Sequence, residues 1–184
     1  MYYVVKYSGV FGFIKPWTAV RDAGGGETYS QQFLTPSIIE GLRQKLEVTS
    51  ILRHKLTYAG IDMQQEVVQA KAWAKKGKIY IKERSILKRG VMIRPTLYLA
   101  FGDKEDAEKA ARQHICLCRN EDVLLPGDVQ EFTIDTFNDL DGYELRFEMN
   151  ENSFLVGYNR FQACEEMYGY MEVTGDSIKK EKYE

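Results

Sequence analysis

Apolar and β-branched residues crowd Tyr2-Tyr3-Val4-Val5-Lys6-Tyr7 and stop at Ser8-Gly9, which predicts a first strand. Residues 10–14 continue it past a glycine bend, and Lys15-Pro16-Trp17 breaks the pattern. Gly24-Gly25-Gly26 within residues 21–27 predicts a loop. The period then changes. Ile38, Ile39, Leu42 and Leu46 recur at helical spacing; Thr35 suits the N-cap, and Pro36 suits the first helical position, where its missing N–H costs nothing. Gly41 inside this helix costs about 1 kcal/mol relative to alanine, so a close approach by another backbone or a ligand is expected there. Residues 51–58 alternate, with Ile51, Arg53, Lys55 and Thr57 on one face and Leu52, His54, Leu56 and Tyr58 on the other. That is a strand pattern, and its more basic face is expected to meet solvent.

Residues 65–73 and 78–82 are β-prone runs around Lys75-Lys76-Gly77, which predicts a hairpin. Residues 91–101 form a long apolar run, read as a central strand in which Pro95 demands an edge, a bulge or a break. A second helix is expected over residues 103–113, capped by Asp103, with Glu105 and Asp106 in its first turn and Ala107, Ala110 and Ala111 as strong formers. Residues 114–118 read as a short strand. With the hairpin set aside, the order is βαββαβ, the ferredoxin-like split unit. Further strands are expected over residues 129–135, 143–149, 153–159 and 168–174, and residues 179–184 read as a frayed end. The expected architecture is therefore α+β. A ferredoxin-like core spans residues 1–128, a basic hairpin is inserted at about 62–90, and an acidic antiparallel β extension over 129–184 packs on the core.

Charge sharpens this division. The net charge of −2 conceals 16 Lys and Arg against 7 Asp and Glu in residues 1–102, and 9 against 20 in residues 103–184. In residues 71–94 nine cations (Lys71, Lys75, Lys76, Lys78, Lys82, Arg84, Lys88, Arg89 and Arg94) face one acid, Glu83. So polarised a half is a candidate footprint for a polyanion. The bland reading is a solvated hairpin whose lysines block edge-to-edge aggregation. The acidic half can either neutralise the basic half internally or repel nucleic acid from surfaces where it is unwanted. A composition of 44% hydrophobic and 28% charged residues excludes wholesale disorder and collagen-like structure. No apolar run approaches the roughly 18–20 residues a membrane helix needs. Three cysteines argue against a disulfide framework, and the first seven residues lack a secretory n-region, so a reduced, cytoplasmic protein is expected.

Sought by its chemistry, an active centre does not emerge. Gly24-Gly25-Gly26 is followed by Glu27 rather than Gly-Lys-Ser/Thr, so no phosphate cradle is expected. His114-x-Cys116-x-Cys118 puts three metal-ligand types on one strand face, but zinc ligands are normally spaced across a turn and need a fourth, for which only Cys164 remains. No metal or cofactor is expected. The carboxylates Asp135, Asp139 and Asp141 resemble a calcium loop only superficially. Against this, Trp73, Tyr80, Gln64, Gln65 and Gln69 interleave with the basic run. Single-stranded nucleic acid is held by cations on phosphate and by aromatic stacking worth about 1–3 kcal/mol per base. Trp17 and Tyr29 can join that surface; the competing reading of Trp73 and Tyr80 is cross-strand packing within the hairpin.

These residues resemble a known family. Thr35-Pro36-Ser37-x-x-x-Gly41-Leu42 opening the first helix, the protruding basic hairpin, and Arg84-Ser85-Ile86-Leu87-Lys88-Arg89-Gly90-Val91 leading into the next strand are similar to the RAMP proteins of CRISPR effector complexes. They resemble above all the "Cas five" family that caps the 5′ end of the guide RNA. Residues 127–132 loosely resemble a later loop of that family, and the likeness covers about the first 130 residues. The resemblance implies an RRM/RAMP-type fold and an RNA-binding structural subunit of a Cascade-like ribonucleoprotein in antiviral defence. Its partners would be the 5′ handle of the crRNA, the backbone RAMP subunits and the large subunit, and possibly target DNA, without a membrane. The residues implied for RNA are Trp17, Arg21, Tyr29, Pro36, Ser37, Gly41, Arg53, Lys71, Trp73, Lys75, Lys76, Lys78, Lys82, Arg84, Lys88 and Arg89. Some members cleave precursor crRNA without metal, and Tyr29, His54 and His114 are the only acid–base seeds for that alternative; no catalytic residue is otherwise expected. The remaining alternative is a non-RNA interaction domain with a solvated basic hairpin. The acidic C-terminal region matches no family pattern.

Overall fold

The computed structural model describes residues 1–16, 27–68, 73–82, 85–159 and 163–179. Trp17, Arg21, the triple-glycine loop, Lys71, Arg84 and residues 180–184 lie outside them. The chain begins with β1 (Tyr2–Ser8), β2 (Phe11–Gly12), β3 (Glu27–Tyr29), α1 (Pro36–Leu46) and β4 (Arg53–Thr57). It continues with β5 (Gly60–Val68), β6 (Trp73–Lys76), β7 (Ile79–Lys82), β8 (Ser85–Ile93) and β9 (Thr96–Phe101). The remainder comprises α2 (Lys104–Ala110), β10 (Ile115–Cys116), β11 (Val123–Phe132), α3 (Ile134–Asn138), β12 (Gly142–Arg146), β13 (Phe154–Asn159) and β14 (Glu165–Thr174). The result is α+β, strand-rich and mostly antiparallel; the pairing of β3 with β8 is the parallel exception among the named strands. Among the described residues no helix is long and apolar enough to cross a membrane.

Eight strands form one sheet in the order β10-β11-β1-β9-β4-β12-β14-β13. Alternation along its strands sends successive side chains to opposite faces. Val5, Tyr7, Leu97, Leu99 and Phe101 lie on the face covered by Leu42 and Leu46 of α1 and Ala107 and Ala110 of α2. Val4 and Ala100 lie on the other, under Phe137 of α3. α1 starts as its sequence predicts: Pro36 is its first residue, and the Ile38 N–H donates to Thr35 Oγ1 at 3.4 Å. α2 starts at Asp103, whose carboxylate accepts from the Glu105 N–H at 3.0 Å, but it ends at Ala110, short of Gln113.

Three expectations are corrected. The apolar run 91–101 is two strands, broken at Arg94 (φ 48°) and Pro95, so that β8 joins a second sheet and β9 the large one. Proline has no N–H for a ladder, and the chain changes sheets there. The short strand at 114–118 shrinks to β10, and the strand beside β1 is β11 instead. Its Pro126-Gly127 is absorbed by a register shift opposite Val5 and Tyr7. The boundary expected at 128/129 therefore falls inside β11. Finally, 129–135 is not a strand throughout. Thr133 caps α3, accepting from the Thr136 N–H at 3.0 Å. The acidic extension then continues the same sheet, because β12 pairs with β4 at Tyr143–Leu56. Gly142 (φ 146°) permits this, since a Cβ there would sit 3.0 Å from the Leu56 carbonyl oxygen.

Candidate nucleic-acid interface

The inserted hairpin is longer than expected. β5 and β8 pair over nine residues, from Gly60–Ile93 to Val68–Ser85, and β2 and β3 line the other edge of β8. The tip is a separate two-stranded sheet, β6–β7, turned at Gly77 with φ 67°, a conformation that favours glycine. Lys75, Lys76 and Lys78 are exposed there, as are Ile79 and Tyr80. Among the described residues no ion pair of these three lysines is seen. Backbone register sets Tyr80 opposite Lys75 and Trp73 opposite Lys82, so Tyr80 is a cross-strand neighbour of lysine rather than of tryptophan. For Trp73 and Lys82 only the backbone is described.

At the stem the cations are partnered. Lys88 pairs with Glu27 at 3.2 Å and Arg89 with Glu66 at 2.9 Å. Among the described residues, carboxylates from β3 and β5 serve these stem cations. Tyr29 is exposed and its ring lies over Gly90, where an added Cβ would fall 2.3 Å from it. Ser37 and Gly41 are exposed on α1, and Pro36 is half-buried. Among the described residues nothing lies within 4 Å of a Cβ added at Gly41, so the close approach expected there is not made by them.

Arg53 is the clearest correction. It is 7% exposed, and Lys55 beside it is 0% exposed. The Arg53 guanidinium donates to both oxygens of Glu144, at 2.5 and 2.6 Å, and to Asn138 Oδ1 at 3.1 Å. Lys55 Nζ donates to the Asn138 and Leu140 carbonyls at 2.6 and 2.7 Å and to Thr174 Oγ1 at 3.0 Å. Burial pushes the Lys55 ammonium below its usual range. The basic face of β4 thus holds the acidic extension rather than a ligand. α3 closes the central part of that sheet face, which in single-strand-binding sheets carries the stacking aromatics.

The three acid–base seeds do not share a site. Tyr29 lies on the small sheet beside Gly90, and His114 is exposed ahead of β10. His54 is 2% exposed, and its Nε2 accepts from the Leu145 N–H at 3.4 Å. Burial, with the Arg53 charge second, lowers its pKa to about 3. Cys116 is half-buried and Cys118 exposed, and among the described residues no group of three metal-ligating side chains gathers.

The sequence reading missed Arg119. It lies on the turn between β10 and β11 and donates to both oxygens of the fully buried Asp122, at 2.9 and 2.6 Å. Its remaining nitrogen donates to Gln64 Oε1 on the hairpin stem at 2.7 Å. The Arg-x-x-Asp spacing is a signal, but its reach to a residue 55 positions away is not. Searched against protein-family models and against curated proteins, the chain matches none.

Proposed function

We propose that this protein is an RNA-binding structural subunit of a multisubunit CRISPR effector, holding the 5′ handle of the guide RNA in the cytoplasm. One observation carries the reading. The hairpin tip displays Lys75, Lys76 and Lys78 with an exposed Tyr80 opposite Lys75, while Glu144 and Glu172 of the acidic extension are engaged elsewhere, by Arg53 and Arg146. Exposed cations beside an aromatic ring suit a single strand, binding phosphate and stacking a base. The strand order β11-β1-β9-β4, with α1 between β1 and β4 and α2 between β9 and β11, supports the βαββαβ ferredoxin-like reading and hence the resemblance to RAMP proteins.

The test is fluorescence anisotropy with labelled single-stranded RNA over a salt series. Lys75→Ala/Lys76→Ala/Lys78→Ala should weaken binding most at low salt. It should also make the plot of log affinity against log salt shallower by about 2, at ~0.7 per lost phosphate contact on a single strand. An unchanged slope overturns the assignment of the tip. A cognate repeat handle should compete better than a scrambled RNA of the same length; equal competition removes the guide-specific part. Gly41→Ala separates the two candidate contacts. It should raise helix stability by about 1 kcal/mol, with no clash inside the chain, yet lower RNA affinity if the handle backbone passes over α1. Affinity equal to that of the unaltered protein would take α1 out of the interface.

A further inference from the structure

We infer that Arg119 is a positioning residue: it clamps the hairpin stem to the body of the protein and so fixes where the lysine tip is presented. The inference rests on the RNA-binding reading for its purpose but not for its geometry. Gln64 lies mid-way along β5, opposite Arg89 of β8. Its Oε1 accepts from Arg119 Nη1 at 2.7 Å, a hydrogen bond from a charged donor that joins the small sheet to the turn between β10 and β11 of the large one. Arg119 itself is held. Its own N–H donates to Asp122 Oδ2 at 2.9 Å, its guanidinium grips the same carboxylate bidentately, and the Asp122 N–H donates back to the Arg119 carbonyl at 3.0 Å. The turn that carries it is therefore stiff.

Phe13 completes the joint. It is 1% exposed, and the Arg89 and Arg119 guanidiniums lie 5.1 and 5.6 Å from its ring centroid. Arg89 is paired with Glu66, and Arg119 with Asp122 and, through Nη1 at 2.8 Å, with Glu121, so the two charges can share one ring. The aromatic face and the Gln64 hydrogen bond together tie the stem to the turn at the point where the small sheet meets the large one.

Lys76 lies twelve residues beyond Gln64, a reach of at most roughly 40 Å at ~3.3 Å per extended residue. A rocking of about 5° at the clamp would then move the lysines by about 3 Å, the length of a hydrogen bond. A stem held at one angle presents its cations pre-organised and spares the ordering cost that a swinging one would meet on binding.

Gln64→Ala and Gln64→Glu test the clamp. Both leave the Arg119–Asp122 pair intact, and glutamate restores an acceptor for Arg119. In hydrogen exchange of the free protein, Gln64→Ala should speed the amides of residues 65–68 and 85–88 by about tenfold or more, as expected for one lost hydrogen bond to a charged donor. β1 and β9 should be unchanged, and Gln64→Glu should restore the original rates. In RNA binding, Gln64→Ala should weaken affinity with the salt slope retained, unlike the triple-lysine variant. Exchange equal to that of the unaltered protein overturns the clamp, and so does a salt slope that falls as it does in the lysine variant, because the cationic contacts themselves would then be lost rather than misplaced. If the unaltered protein binds no RNA while the exchange result holds, the clamp stands and the RNA reading falls.

Discussion

Replacing Arg53 with alanine is expected to destabilise the protein by about 3–5 kcal/mol, because it strands a buried carboxylate. Glu144 is 1% exposed and takes two hydrogen bonds from Arg53. Its loss would also free Asn138 at the end of α3, and it would remove the guanidinium that lies 5.1 Å from the Phe137 ring centroid. Because β12 meets β4 through the one main-chain pair Tyr143–Leu56, side chains hold this seam. Urea denaturation followed by circular dichroism measures the cost. The double variant Arg53→Met/Glu144→Leu should recover most of it, since an apolar pair of similar volume often matches a buried ion pair. A single-variant cost below about 1 kcal/mol, the range of an exposed pair, would show that Arg53 is not buried as described.

Acid should open the same seam from the other side. His54 stays neutral in the folded protein down to a pKa of about 3, whereas an unfolded histidine takes up its proton near 6.5. Between those values the unfolded state binds more protons, so stability is full above about pH 6.5 and falls as the pH drops, by about 1.4 kcal/mol per unit from this one group. At pH 5 the loss is about 2 kcal/mol relative to pH 7.5. His54→Gln keeps an acceptor for the Leu145 N–H but does not titrate. The difference between the two proteins' pH-stability curves should therefore isolate the histidine. Parallel curves from pH 7.5 to 5 would mean that His54 is accessible to protons in the fold.

The same three residues show why part of the fold was hidden in the sequence. Arg53-His54-Lys55 alternates as a strand should, and β4 forms where that alternation placed it. Alternation reports two faces, and it does not say that both will be covered. Charged residues are rarely buried alone, so the alternation by itself points the basic face to solvent. Glu144, 91 residues on, is the partner that makes its burial tolerable, and no local pattern points across that distance. β11 was obscured for a related reason. Pro126-Gly127 carries turn chemistry, and only pairing to β1 on one side and β10 on the other makes it a strand with an irregular register.

The candidate interface was half legible. Local density of lysine around Lys75-Lys76-Gly77 foretold an exposed turn, and the tip is exposed. The stem cations Lys88 and Arg89 look the same in sequence, yet they face Glu27 and Glu66 from neighbouring strands. Charge density counts cations; it cannot see which of them another strand will neutralise.

By itself, the sequence determined what neighbouring residues decide: the caps of α1 and α2, the turn at Gly77 and the polarity of the two halves. These depend on backbone freedom and on groups within a few positions, so the chain expresses them wherever it folds. Tertiary structure decided which charges remain available. It buried Arg53 and Lys55 against the acidic extension, silenced His54 by desolvation and tied Gln64 to Arg119. Each of these outcomes depends on a partner brought from dozens of residues away into a medium of low polarity, where the cost of an unpaired charge selects the arrangement.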